Sequence, residues 1–255
     1  MTMAGGVEEG GVAAAGGRIS DGLLAKEPDQ IAGMFDAIAP RYDFLNRVLS
    51  AGRDRRWRRT AIEALALAPS EILLDVCTGT ADVLLEGLSR QPRLGAAVGV
   101  DFSHEMLARG RRKLARAGAA PAMLARADAT GLPLADASVD AAAIAFGIRN
   151  VQQPERACAE LARVLRPGGR VAVLEFGLPR SRAFRALYLW YARRILPLVG
   201  RLVSRHGRAY AYLPESVGRF PAPETFGQLL QASGFPHVSI VPLTLGIVYL
   251  YIARK

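Results

Sequence analysis

The sequence predicts an α/β protein organised around a seven-stranded, mostly parallel sheet, with the last strand antiparallel and a helical cap on the N-terminal side. Three observations carry this. The run Leu73-Leu74-Asp75-Val76-Cys77-Thr78-Gly79-Thr80-Ala81 reads as a buried strand ending on an acid, then a tight glycine turn, then a helix start. A second strand, Ala97-Val98-Gly99-Val100-Asp101, follows one helix later and also ends on an acid. From residue 71 to 176 strand-length apolar runs alternate with helix-length amphipathic ones, the pattern of parallel strands joined by helical crossovers on both faces of a sheet.

Each element follows in order. Residues 1–28 are expected to be a disordered tail: the first 18 are Gly/Ala-rich, with two acids and no apolar run that would suit a signal peptide. Residues 29–68 predict a helical cap, interrupted at Pro40 and carrying the basic run Arg53-Asp54-Arg55-Arg56-Trp57-Arg58-Arg59. Strands are expected near 71–76, 97–101, 122–126, 139–145 and 170–176, and helices near 80–90, 103–117 and 155–166. Ser103 suits an N-cap with Glu105 in the first turn, Pro154 suits a first helical position, and Pro167-Gly168-Gly169 suits a helix end. After 176 the alternation stops. Residues 180–215 read as a basic amphipathic insertion, and two β-like runs at 236–242 and 246–253 close the sheet, so that 29–255 form one domain.

The net charge of +10 is almost wholly arginine, since lysine occurs only at 26, 113 and 255. Such an excess suits anionic partners, but a genome that prefers arginine codons produces it too, so the clustering informs more than the total. From Arg180 to Arg208 there are eight arginines and no acid, interleaved with bulky apolar residues such as Leu187, Trp190 and Ile195. This suits a helix lying on an anionic membrane surface, or a cap helix packing its stripe on the sheet. Arg193-Arg194 and Pro197 oppose a membrane span. Nucleic acid is not expected as a partner, because the apolar residues are aliphatic rather than isolated stacking rings. Cys77 and Cys158 make neither a disulfide framework nor a metal spacing and are read as reduced. His104, His206 and His237 are scattered, and no metal is expected. The expected location is cytoplasmic, peripherally associated with the inner face of the cell membrane; homo-oligomerisation is left open.

The chemistry gathers at the C-terminal ends of the strands, where open α/β sheets bind ligands. Only Gly79 stands where a dinucleotide loop carries three glycines, so no pyrophosphate is cradled. With Asp101 at the next strand end, this points to S-adenosylmethionine rather than NAD. Asp101 would bind the ribose hydroxyls, Thr80 would meet the aminoacyl end through its hydroxyl or amide, and Asp75 would orient the ammonium. Asp128, with the amide of Ala129, would read the adenine. Arg149 and Asn150, in Phe146-Gly147-Ile148-Arg149-Asn150 after the fourth strand, point at the reaction centre. Each has a plainer alternative: an ordinary strand-to-helix turn around Gly79, a solvated loop acid at Asp128, and an Arg149 that pairs with a structural acid. Glu175 could hold substrate, take a proton, or pair with an arginine.

The motifs resemble the ubiquinone/menaquinone biosynthesis C-methyltransferases. Tyr42-Asp43-Phe44-Leu45-Asn46, Ser50 and Arg56-Trp57 match that family's N-terminal signature, and Leu74 to Asp82 its cofactor loop. Phe146 to Val151, Arg163 to Gly169, Tyr212-Leu213-Pro214-Glu215-Ser216-Val217 and Thr244 to Val248 also fit. The resemblance implies a class I S-adenosylmethionine-dependent methyltransferase with a Rossmann-like sheet. It implies methylation of a ring carbon on a polyprenylated quinol, and cofactor contacts at Thr80, Asp101, Asp128 and Ala129. Arg149 would stabilise the phenolate and Asn150 orient the ring; Tyr42, Glu175, Tyr210 and Glu215 are further candidates for ring contacts or proton transfer. Three positions depart from the family's usual residues: Asp54 for His, Ala145 for Ser and Ala81 for Gly. The alternative is another small-molecule or lipid methyltransferase on the same fold.

Overall fold

A computed structural model describes residues 23, 25–119, 122–203 and 207–255, with the side chains of 192–193 and 195–211 outside that description. Most of the expected 1–28 tail, together with His206 and the side chain of Tyr210, therefore lies outside the described residues.

The cap consists of α1 (Pro28–Ile38), a 3-10 turn at Ala39–Arg41, α2 (Tyr42–Leu49) and α3 (Arg53–Ala64). Pro40 does mark a break: its fixed φ and missing N–H suit the first turn of a new helical segment, and the chain uses it there. The alternating units follow as β1 (Ile72–Val76), α4 (Asp82–Arg90), β2 (Ala96–Asp101), α5 (His104–Arg116), β3 (Ala122–Arg126), β4 (Val139–Ala145), α6 (Pro154–Val164) and β5 (Leu165–Phe176). Ser103 caps α5, its hydroxyl accepting from Met106 N–H, and Pro154 opens α6. Then come α7 (Arg182–Val203), α8 (Gly207–Arg219), α9 (Pro223–Ala232), β6 (His237–Leu243) and β7 (Val248–Arg254).

The sheet has seven strands in the order β3-β2-β1-β4-β5-β7-β6. β1 to β5 are parallel, and β7 runs antiparallel to both its neighbours. Strand residues alternate between two cores. Leu74, Val76 and Ile144 face α6 and α9 on one side; Leu73, Ala97 and Ala143 face α3, α4 and α5 on the other. The central parallel strands are thus covered on both sides, while the edge strand β3 leaves Met123 exposed, and polar side chains collect at the strand tips.

Three details differ from the sequence expectation. β5 begins at Leu165, not 170, because the Pro167-Gly168-Gly169 run stays in the sheet: Leu165 pairs with Val139 across a register shift, and Gly168 and Gly169 bond to Lys255. α8 runs through Pro214, whose missing N–H is offset by burial of Tyr212, Ser216 and Val217 on the same helix. The basic insertion read over 180–215 comprises α7 and most of α8, and a further helix beyond it, α9, packs on β6.

Candidate active site

Parallel register aligns the tips: Asp75 lies opposite Gly99, and Val76 opposite Val100. The chain leaves β1 through a turn in which Cys77, Gly79 and Ala81 all take left-handed φ, of 56°, 53° and 66°. Glycine adopts this region freely and alanine does not, which explains why a glycine suits position 81. A side chain at Gly99 would meet Leu124 at 2.6 Å, Leu84 at 2.8 Å and Thr78 Oγ1 at 2.9 Å, so glycine lets β2 approach this turn without moving those side chains.

The two strand-tip acids are nine-tenths or more buried. Asp101 Oδ2 accepts from Gly79 N–H at 2.8 Å and Oδ1 from Ser103 N–H at 2.9 Å. Burial nevertheless holds its carboxyl above the usual range. Asp75 Oδ2 accepts from Thr78 Oγ1 at 2.6 Å, while Oδ1 has no partner. Desolvation first, with the Asp101 charge, pushes Asp75 up to about 8. A buried acceptor with no donor is costly, and a ligand ammonium would satisfy it.

A small cavity of about 40 Å³ lies against Gly79, Asp101, Phe102, Met106, Gly147 and Asn150. Cap helices close it. Asp36 of α1 accepts from Ser103 Oγ at 2.5 Å and from Glu105 N–H at 3.2 Å. Asp43 of α2 accepts from Thr80 Oγ1 at 2.6 Å and pairs with Lys113 at 2.7 Å; Lys113 also donates to Thr80 Oγ1 at 2.9 Å. The Thr80 hydroxyl is therefore engaged with the cap, and its amide is left as the group for a ligand. Asp128 is exposed, and its Oδ1 closes its own turn by accepting from Thr130 N–H and Oγ1; Ala129 beside it is buried.

A larger cavity of about 350 Å³ abuts the first, and Phe35, Tyr42 and Phe146 line both. Its walls are aromatic: Phe146 and Phe176 stack with centroids 4.6 Å apart, and Trp57 meets Phe176 edge-on at 6.2 Å. Arg149 lines it, with its guanidinium carbon 5.4 Å from the Phe176 ring centre. Arg149 Nη1 donates to Glu175 Oε1 at 2.8 Å and to the Phe146 carbonyl at 2.5 Å, whereas Nε is buried without a partner. Glu175, fully buried, also accepts from Arg149 N–H and Phe176 N–H. It stands behind Arg149 and lines neither cavity. Asn150 lies on the smaller cavity, with Oδ1 buried and unpartnered. Tyr42 separates the two spaces. Burial raises the phenols of Tyr42 and Tyr212 and pushes Tyr188 up to about 12, so these hydroxyls stay protonated at neutral pH. Glu215 is a half-exposed partner of Arg219 and lines neither cavity.

The sequence reading missed Asp36, Asp43, Lys113 and Arg58. Arg58 is buried between Asp54, at 2.5 Å, and Asp82, at 2.9 Å. Asp54, where the family often carries His, is thus the partner of a buried cation and also accepts from Ser50 Oγ at 2.9 Å. The aromatic box was visible only as separate apolar letters on four elements.

Comparison with known proteins places the chain in a family and agrees with its fold. Residues 24–255 match the model of the ubiE/COQ5 methyltransferase family. A ubiquinone/menaquinone biosynthesis C-methyltransferase of Geotalea daltonii is 45% identical over 91% of this chain and 99% of its own length. A demethylmenaquinone methyltransferase of Thermus thermophilus is 49% identical over 87% of this chain and 100% of its own. Among solved structures, a SAM-dependent methyltransferase from Thermotoga maritima superposes with a TM-score of 0.60 at 19% identity, covering 88% of this chain and 99% of that one. The protein belongs to the ubiE/COQ5 methyltransferase family; it is a methyltransferase and S-adenosylmethionine is its cofactor.

Proposed function

We propose that this enzyme methylates a ring carbon of a polyprenylated quinol, converting demethylmenaquinol to menaquinol, with 2-polyprenyl-6-methoxy-1,4-benzoquinol as a second substrate in ubiquinone biosynthesis. The observation that carries the reading is the pair of abutting cavities. One is lined by Gly79, the strand-tip acid Asp101 and Asn150, the other by aromatic rings and Arg149, and Phe35, Tyr42 and Phe146 are common to both. A cavity of about 350 Å³ is in the range of small-molecule sites, and flat rings suit a flat substrate. Relatives named for quinone methylation cover most of the chain.

When bound, S-adenosylmethionine supplies an electrophilic methyl group on a sulfonium. The residues present fit it. Asp75 Oδ1 is an acceptor awaiting an ammonium, and Asp101, with further lone pairs on its two oxygens, can accept ribose hydroxyls. The Thr80 amide would meet the aminoacyl end, and Asp128 with the Ala129 amide would read the adenine. On the quinol side, the substrate carbon becomes nucleophilic as its neighbouring hydroxyl gives up a proton. Arg149 offers its buried Nε–H to the developing phenolate, held in place by Glu175. Asn150, one residue on, orients the ring edge nearest the cofactor, and protonated Tyr42 packs between. Methyl transfer is an in-line displacement, so this positioning supplies much of the rate. An isoprenoid tail resides in a bilayer, so on this reading the enzyme works at the cytoplasmic face of the cell membrane. Among the described residues no helix is long and apolar enough to cross one.

The test is Arg149→Ala, with turnover of both quinols and calorimetric affinity for S-adenosylhomocysteine measured separately. Turnover is expected to fall about 10²–10³-fold, as for loss of one oxyanion donor, with the nucleoside affinity kept. Normal turnover in the variant refutes the assignment.

A further inference from the structure

We propose that the mouth of the aromatic cavity is itself the lipid-docking surface, with Leu245 as a preset anchor inserted into an anionic bilayer. This rests on the quinol reading and goes beyond it by naming the residues that meet the membrane. Phe44, Val48, Leu187, Trp190 and Leu245 are exposed large apolar side chains, at 59%, 42%, 57%, 57% and 75%. Single exposed apolar residues are ordinary on a protein surface. These five are not scattered. Phe44 and Val48 are four apart on α2, and Leu187 and Trp190 three apart on α7, so each pair shares a helix face. Each of the five directly adjoins in sequence a residue lining the cavity: Leu45, Leu49, Tyr188, Tyr191 or Thr244. α2 packs on α7, and Trp57 Nε1 donates to Thr244 Oγ1 at 2.8 Å, tying the Leu245 turn to the same rim.

Leu245 carries the strongest signal. Thr244, Leu245 and Gly246 take φ of 46°, 57° and 85° in succession, a left-handed stretch that a leucine adopts only when its surroundings enforce it. The enforcement is visible. Thr244 is held by Trp57 and by Ile247 N–H, and a side chain at Gly246 would meet Tyr249 Oη at 2.8 Å. Strain that buries a leucine is easily understood, but here it presents one to water.

Charge selects the partner. Residues 41–59 hold seven arginines and two acids, and both acids are engaged by cations, part-exposed Asp43 by Lys113 and buried Asp54 by Arg58. Arg41, Arg47, Arg53, Arg55 and Arg56 are exposed, and α7 contains no acid. An apolar rim inside a basic field fits a bilayer bearing anionic headgroups.

The experiment uses the full chain and flotation on vesicles of phosphatidylcholine with and without phosphatidylglycerol. Its variants are Leu245→Gly, Trp190→Ser, the double variant, and Met123→Ser as a control on the far edge strand. Partitioning onto the anionic vesicles should fall roughly tenfold in the double variant and be unchanged by Met123→Ser. Leu245→Gly should melt no lower than the parent, since glycine relieves the left-handed turn. Turnover of a short-tailed quinol in vesicle-free solution should be unchanged, while turnover of a long-tailed quinol in vesicles should fall with binding. Undiminished partitioning in the double variant overturns the proposal, as does binding that ignores phosphatidylglycerol, or retention on RNA in place of vesicles. Absent turnover of the short-tailed quinol by the parent protein, with partitioning intact, overturns the substrate reading and leaves the docking surface standing.

Discussion

Replacing Glu175 with Gln removes one charge and almost no volume, so its effect isolates the buried pair with Arg149. The side chains are 0% and 8% exposed, and the contact is 2.8 Å. At an effective dielectric near 20 the gross attraction over that distance is about 6 kcal/mol, and the cost of taking both ions out of water offsets much of it. What the substitution leaves behind matters more: an arginine buried without its counter-charge, a situation that costs about 3–5 kcal/mol. Glutamine cannot repair the hydrogen bonds. Glu175 receives Arg149 Nη1 and Phe176 N–H on one oxygen and Arg149 N–H on the other, and an amide has only one oxygen to offer. Whichever way it flips, an N–H faces an N–H. For a domain of this size about 3 kcal/mol lowers the melting temperature by roughly 6–12 °C. Calorimetry on Glu175→Gln, Arg149→Met and the double variant forms the cycle; the double variant should recover at least about 1 kcal/mol relative to additivity, since no uncompensated charge remains. In the assay kcat should drop about 10²-fold, because the Arg149 donors lose their fixed aim, while the cofactor KM holds. A Glu175→Gln protein melting within about 2 °C of the parent, or a strictly additive cycle, refutes the argument.

Two further outcomes follow from the cofactor side. The folded-state pKa of Asp75, pushed up to about 8, lies above that of the unfolded chain, so the folded protein holds a proton there that the unfolded chain has lost. That contribution to stability is fully present below about pH 4 and drains away as pH rises towards 8. Thermal melts from pH 5 to 9 should therefore decline less steeply for Asp75→Asn than for the parent. S-adenosylhomocysteine, by bringing an ammonium, should release close to one proton at pH 6.5, read by calorimetry in buffers of different ionisation enthalpy and absent in Asp75→Asn. Lys113→Met removes the cation shared by Asp43, Asp82 and Thr80. The three charged groups are part-exposed, so the stability loss should be about 1 kcal/mol or less, but limited proteolysis between 28 and 50 should accelerate and the cofactor KM rise several-fold. A cap as resistant as the parent's would refute the role of Lys113 in holding it.

The sequence made the strand tips legible because their signals are local. Asp75, Gly79 and Asp101 are set by an apolar run, a turn residue and one helix length, and Ser103 and Pro154 by capping rules that span three or four residues. Where the determinant was distant, the sequence was silent. Asp43 and Lys113 are separated by 70 residues and read singly as solvated charges. Arg149 and Glu175 each carried the alternative of a structural ion pair, and the fold shows that each is the other's partner. The continuation of β5 through Pro167-Gly168-Gly169 was hidden because its support is the chain terminus: Lys255 N–H bonds to Gly169, and Gly168 N–H to the Lys255 carbonyl. Pro214 within α8 broke a local rule that buried side chains on the same helix overrode.

Two adjacent residues serving two cavities is a consequence of local backbone geometry. β4 ends at Ala145, Phe146 turns the chain at φ 60°, and Ile148–Asn150 form a 3-10 turn. In such a turn successive side chains diverge by about a third of a revolution. Arg149 therefore lines the aromatic cavity while Asn150 lines the one beside Gly79 and Asp101. Gly147 sets the depth of the turn: a side chain there would lie 2.4 Å from Cys77 Cβ, so the reaction loop rests directly on the cofactor turn, whose Cys77 is itself left-handed. Neither loop can shift without the other. On the proposed reading one loop would hold each reactant, so the close contact at Gly147 would couple their positions. If the proposed roles hold, that is the physical content of preorganisation here, with a glycine, a cation and an amide standing within five residues of the end of β4.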